Sequence, residues 1–338
     1  MSKASEILKN FQINIFFTLT TSILNFIINS FFLKKMGVDL LGLSKLFTQF
    51  IAYLSLADLG LGTESTYALY KPLIEKNYER INIIFSTLES FYKKIAIFIC
   101  VVGMGASILL PYLIPDEKYG MKIYLYWGLY ILNTAITYLY AKYNILFLAN
   151  QEYRYSRIIL GGTTVLSQLS QLFIIFFIKS FVLYIMAMIF TGIIALLCFK
   201  RHYMQNYSYI KKTGERDLGI KKDMGKLFFQ KIGSLIVFNT DYIILSIFES
   251  LALIGIYSSY LVIYNAMIVF ISMILNVITP QVGQYIAEKT KDDIYNLWKE
   301  FHAFFIFLAT ILVFTTYYLI QNFIILWLGR KYLLPNLL

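Results

Sequence analysis

Long apolar runs separated by short polar stretches recur along the whole chain. A helix rises 1.5 Å per residue, so about 20 apolar residues cross a hydrocarbon core of about 30 Å. On that measure spans are predicted at 12–33, 40–69, 95–114, 122–148, 158–178, 181–199, 227–248, 251–279 and 303–327, with a tenth beginning near Tyr332. Several exceed 25 residues, which points to tilted helices or to helices that outrun the bilayer. The fold class that follows is an all-α polytopic membrane protein of about nine transmembrane helices.

Within these runs the polar residues fall at helical spacing. Asn14, Thr18, Thr21, Asn25 and Asn29 form one face of the first span. The fourth carries Tyr126, Tyr130, Asn133, Thr137, Tyr140 and Asn144, a stripe of aromatics and amides, and the fifth clusters Thr164, Ser167, Gln168 and Gln171. On the eighth, Ser258, Asn265, Ser272, Asn276 and Thr279 lie to one side. Polar side chains in a bilayer face protein or a water-filled cavity. Interhelical hydrogen bonds, worth about 0.6 kcal/mol each, would account for any one of them; whole faces predict a central polar cavity. Tyrosine and asparagine suit a ligand rich in hydroxyls, because the ring offers a flat apolar surface and the amide both donates and accepts.

Composition agrees with the pattern. The chain is 59% hydrophobic and only 14% charged, against about 25% charged in soluble domains, and its mean hydropathy is +0.66. The first run is too long for a signal-peptide core and lacks a small-residue cleavage site, so it reads as a retained span. A net charge of +11 would fit a nucleic-acid partner, but the basic residues gather between the spans, and no nucleic acid is expected. With the N-terminus in the cytoplasm, segments 1–11, 70–94, 142–157, 200–231 and 288–300 are inside and hold 22 of the 30 lysines and arginines, as the positive-inside rule demands. The richest of them, from Lys200 to Lys231, is expected beside an anionic leaflet. Cys100 and Cys198 lie in apolar runs and read as core residues, with no disulfide and no metal. His202 and His302 stand at loop ends without a catalytic partner motif, and no DxD, HExxH or Ser/His constellation marks an enzyme.

An internal repeat organises the chain. Leu40-Leu41-Gly42-Leu43 echoes Leu253-Ile254-Gly255-Ile256, Lys9 corresponds to Lys222 at the same offset, and Phe91-Tyr92-Lys93-Lys94 echoes Leu297-Trp298-Lys299-Glu300 at a similar one. This predicts a six-helix N-terminal lobe (1–200), a cytoplasmic connector (201–226) and an incomplete C-terminal lobe (227–338), with the two lobes running the same way through the membrane as parallel repeats do. The chain is expected to lack about three C-terminal helices and, at this length, to be inactive and poorly stable.

The run from Tyr53 to Pro72 places two carboxylates, Asp58 and Glu64, in the predicted second span. Each costs about 2.5–3.5 kcal/mol to insert when ionised. They lie about 120° apart and so do not form one paired site. Ser55, Asp58, Gly62 and Ser65 share a small-residue stripe, and the helix is expected to stop at Lys71-Pro72. Asp58-Leu59-Gly60-Leu61-Gly62-Thr63 followed by Leu69-Tyr70-Lys71-Pro72 resembles the bacterial polysaccharide transporter family, the Wzx-type flippases of the multidrug/oligosaccharidyl-lipid/polysaccharide exporter superfamily. The likeness covers the whole chain in hydropathy and a few short stretches in residues.

That resemblance implies a two-lobed, multidrug-exporter-like protein of the bacterial cytoplasmic membrane. Its expected activity is to move undecaprenyl-diphosphate-linked oligosaccharides to the outer leaflet by alternating access, for capsule, O-antigen or exopolysaccharide. The expected partners are the lipid-linked oligosaccharide, membrane lipids, a polysaccharide polymerase and assembly proteins. No cofactor is implied beyond a coupling sodium ion or proton. A cation-coupled multidrug antiporter of the same superfamily and a peptidoglycan-precursor flippase stay open as alternatives. Cavity candidates are Asn25, Asn29, Lys45, Tyr130, Asn133, Thr137, Lys142, Gln171, Asn265 and Asn276. Lys45 and Lys142 are the cations available to a diphosphate, although both lie near enough to helix ends to snorkel. Coupling-ion candidates are Asp58, Glu64 and Asp241.

Overall fold

Every regular element in the computed structural model is a helix among the residues it describes, which are 3–55, 61–114, 119–215, 217, 232–233, 236–237, 240–288 and 290–334. In order they are α1 (Lys3–Lys35), α2 (Val38–Leu54), α3 (Leu61–Glu75), α4 (Tyr78–Ala106), the single turn α5 (Leu110–Leu113), α6 (Lys122–Ala149), α7 (Tyr153–Phe173) and α8 (Phe181–Asn206). Then come α9 (240–248), α10 (Leu251–Glu288) and α11 (Lys291–Trp327). Among the described residues six helical segments are long and apolar enough to cross a membrane: Lys9–Lys35, Tyr78–Tyr112, Tyr153–Ile178, Phe181–Asn206, Leu251–Ser272 and Lys291–Trp327. The chain is a multi-pass membrane protein.

Two compact units divide it, Met1–Ile254 and Gly255–Leu338. In the first, α6 is the hub and packs against α2, α3, α4, α7 and α8, while α1 packs on α7. This helix is 28 residues long, yet six tyrosines, two asparagines, two threonines and Lys142 make it less apolar than those six segments. Its polar character is tolerated because neighbours enclose it. Trp127 is buried and donates from Nε1 to the Gly103 carbonyl of α4 at 2.8 Å. A Cβ on Gly103 would come within 2.9 Å of Ile131, so glycine is what lets α4 and α6 approach so closely. In the second unit, Tyr260 of α10 donates to Gln321 of α11 at 2.9 Å.

Three predicted boundaries are corrected. The span placed at 40–69 is two helices, α2 and α3, with 56–60 outside the described residues. The expected stop at Pro72 is also wrong, because α3 runs through it to Glu75. Proline there forfeits one hydrogen bond. The helix closes four residues later, where Lys76 adopts a left-handed φ of 52° and Asn77 N–H returns to the Pro72 carbonyl at 2.9 Å. Asn77 then caps α4 by accepting from the Arg80 N–H at 3.0 Å. Finally, α4 begins at Tyr78 rather than at 95, so most of the loop expected over 70–94 is helical. The span expected at 227–248 lies largely outside the described residues, apart from α9.

Candidate functional site

One cleft in the first unit has the chemistry expected of a polar cavity. It encloses about 430 Å³ between α3, α4 and α6, and its lining includes Thr66, Tyr67, Tyr70, Tyr92 and Asn144. Helical spacing explains the set, since Tyr67 and Tyr70 are i,i+3 neighbours on α3. Their rings meet edge to face at 5.6 Å, and both are exposed. Gly62 forms part of the wall, and the Tyr92 hydroxyl stands 3.5 Å from where a Cβ would sit. Thr66 donates to the Gly62 carbonyl at 2.8 Å, and the Asn144 amide oxygen accepts from Ser156 of α7. Such a lining offers flat rings and hydroxyls to a ligand rather than charge.

Charge is concentrated one turn away. Glu89, three residues before Tyr92 on α4, accepts from three lysines on the same oxygen, Oε1: Lys142 of α6 at 2.7 Å, Lys212 at 3.2 Å and Lys93 at 3.3 Å. The Glu89 and Lys142 side chains are 11% and 10% exposed, whereas Lys93 and Lys212 are 56% and 72% exposed. Lys142 also lies 4.8 Å from the Tyr143 ring centre and 5.8 Å from that of Phe85. A buried carboxylate therefore holds a buried ammonium, and the two outer lysines leave the knot a formal charge of +2.

A strap completes the site. After α8, residues 207–215 and 217 lie along the polar side of α4. Lys211 N–H donates to Asn82 at 2.8 Å, Thr213 N–H to Ser86 at 3.0 Å and Asp217 N–H to Thr87 at 3.0 Å, while Arg80 pairs with Asp217 at 2.6 Å. Side chains on the helix thus replace the backbone partners an extended segment lacks. The strap's first residue is anchored too. Tyr207 donates to Glu152 Oε1 at 2.7 Å, His202 meets the other carboxylate oxygen at 2.6 Å, and Tyr155 stacks on His202 with ring centres 3.8 Å apart. Burial, and then the adjacent Glu152 carboxylate, pushes the Tyr207 phenol well above its ordinary range.

The structure scatters the sequence-predicted residues. Lys142 is in the knot, paired rather than open. Tyr130 is buried and shares a 2.6 Å hydrogen bond with Ser44, beside half-buried Lys45 on α2. Thr137 bonds back to the Thr134 carbonyl at 2.7 Å. Asn133 packs towards Gly192 of α8. Asn29 and Gln171 are buried, whereas Asn25 and Asn265 are exposed. Glu64 is half-buried in the first turn of α3, and Asp241 of α9 accepts from the Tyr242 N–H at 2.9 Å. Asp58 lies outside the described residues, as does the Asn276 side chain. Helical spacing found the stripes but not which of them line one space. Missed were Tyr67, Tyr70, Tyr92 and Glu89; the polar spacing Asn82, Ser86, Glu89, Lys93 was the available signal, hidden because 70–94 read as loop. Compared with known proteins, the chain matches no protein-family model and no curated sequence.

Proposed function

We propose that this protein is a flippase for lipid-linked oligosaccharides, of the Wzx type that its Asp58–Thr63 and Leu69–Pro72 stretches resemble. The observation that carries the reading is the cleft of tyrosines, threonine and asparagine beside a basic knot. Sugar rings stack on tyrosine and bond to amides, and a diphosphate is drawn to exposed ammonium groups such as Lys93 and Lys212. Lys142 serves that attraction only at second hand, since Glu89 already takes it.

In this reading the N-terminus is cytoplasmic, the cleft and knot open towards the cytoplasmic leaflet of a bacterial inner membrane, and the strap is the connector between two lobes. Nine spans, six of them in the first lobe, are arranged as a parallel repeat. Alternating access moves the headgroup through the lobes while its lipid tail stays in the bilayer. A polymerase and assembly proteins would take the product onward.

Deleting the gene tests the proposal. Surface polysaccharide is expected to disappear while lipid-linked repeat units accumulate on the cytoplasmic leaflet. Normal polysaccharide with altered drug or cation sensitivity would replace the flippase with an antiporter.

A further inference from the structure

Between α1 and α7 lie half-buried polar groups, some of whose atoms are fully covered. The Phe17 ring of α1 lies so close to Gly161 of α7 that a Cβ there would overlap it. One turn before Gly161 stands Arg157, inside the membrane-crossing segment Tyr153–Ile178. Its Nη2 donates to Thr18 Oγ1 at 2.9 Å. The Nε is buried and has no hydrogen-bond partner among the described residues. Nor does any described carboxylate form an ion pair with this guanidinium. About three turns further along the seam, Gln168 donates to the Thr21 carbonyl at 3.1 Å, while its own Oε1 is buried and finds no donor among the described residues.

Arginine carries five N–H donors, has no acceptor and cannot shed its charge. A buried donor left unbonded is costly, and a charge held in a low-dielectric seam without a counter-charge is costlier still. The Thr18 hydroxyl is neutral and engages one donor. What the site lacks is an anion with more than one acceptor oxygen.

We propose that Arg157 and Thr18 bind a phosphate group that enters the α1–α7 seam from the Tyr153 end of α7. Phosphate fits because two of its oxygens match the guanidinium fork and a third accepts from the freely rotating threonine hydroxyl. The phosphate belongs either to a lipid headgroup or to a soluble phosphoanion. This site is separate from the tyrosine cleft and does not depend on the flippase reading.

Native mass spectrometry of the full chain in nonionic detergent tests it, with phosphatidylglycerol, phosphate-free diacylglycerol and inorganic phosphate as probes. The wild type is expected to retain phosphatidylglycerol and not diacylglycerol. Arg157→Gln should weaken retention about tenfold or more, and Arg157→Lys, which keeps a charge but loses the fork, should fall between. Arg154→Gln, which removes an exposed charge at the same helix end, should change nothing. Binding of inorganic phosphate that depends on Arg157, without lipid retention, would assign the site to a soluble phosphoanion. Equal retention by wild type and Arg157→Gln, with no phosphate binding that depends on Arg157, overturns the proposal. So does an equal loss in Arg154→Gln, which would mark diffuse surface attraction. Should Arg157→Gln fail to fold, Arg157→Lys and Thr18→Val decide, and unchanged binding in both overturns it.

Discussion

Two helix seams in the first unit each hold a basic residue, Lys142 buried and Arg157 half-buried with a buried Nε, and they treat it differently. In the α4–α6 seam Lys142 meets Glu89 at 2.7 Å, and both side chains are about nine-tenths buried. In the α1–α7 seam Arg157 donates to the Thr18 hydroxyl and, among the described residues, its buried Nε finds no partner. The first seam is a closed account of charge. The second is open by one anion. A buried charge pair is weak evidence of net stability, since desolvation offsets the attraction, but breaking such a pair leaves an uncompensated charge. The same residue class is therefore structural where its counter-charge is built in and available for binding where it is not.

Substitutions should separate the seams. Glu89→Gln strands Lys142 and loosens the strap at Lys212, and is expected to cost about 3–5 kcal/mol, read as a large fall in thermal stability in detergent. Removing the ammonium as well, with Lys142→Met, should restore much of that loss, because a paired polar site is replaced by apolar packing. Arg157→Gln in lipid-free detergent should by contrast shift stability by less than about 1 kcal/mol, since the group it removes is already unsatisfied. If the two single variants lose equally, the contrast between the seams is void.

Packing supplies the next effect. Gly161→Ala places a methyl group against the root of the Phe17 ring rather than against a flexible tip, so the helices must part. About 1–3 kcal/mol is expected. Phe17→Ala in the same chain should relieve the clash, and absence of rescue would show that the seam is not held by this contact.

Smallest is the anchor of the strap. Tyr207→Phe removes the hydrogen bond to Glu152 and should cost about 1 kcal/mol near neutral pH. Because the folded phenol titrates above its unfolded value of about 10, its stabilisation is full below that pH and is lost as pH rises beyond it. The gap between wild type and Tyr207→Phe should accordingly narrow above pH 10 in a stability titration. A gap that widens with alkali would show that the phenol is not held protonated by burial and Glu152.

Much of the architecture was legible from residue order alone. Runs such as 181–199 and 303–327 are too long and apolar to be anything but membrane helices, because hydrocarbon leaves no partner for an unpaired backbone. The reading of 122–148 as a helix also held, as α6, although tyrosines and amides lower its hydropathy. Failures came where local rules competed with packing. Pro72 did not end α3, since one lost hydrogen bond is affordable near the end of a packed helix. The segment 78–94 read as loop because of its polar and charged residues, whereas Arg80, Asn82 and Ser86 among them hold the strap.

What the sequence determined by itself was the class of protein and the faces on which its polar groups lie, because both depend on neighbours within one helix, at spacings of three and four residues. Pairing was decided only by tertiary structure. Nothing local distinguishes Lys142, 53 residues from its carboxylate, from Arg157, 139 residues from its hydroxyl. Which of them meets a counter-charge depends on how helices distant in sequence are brought side by side, and that is a property of the packed chain.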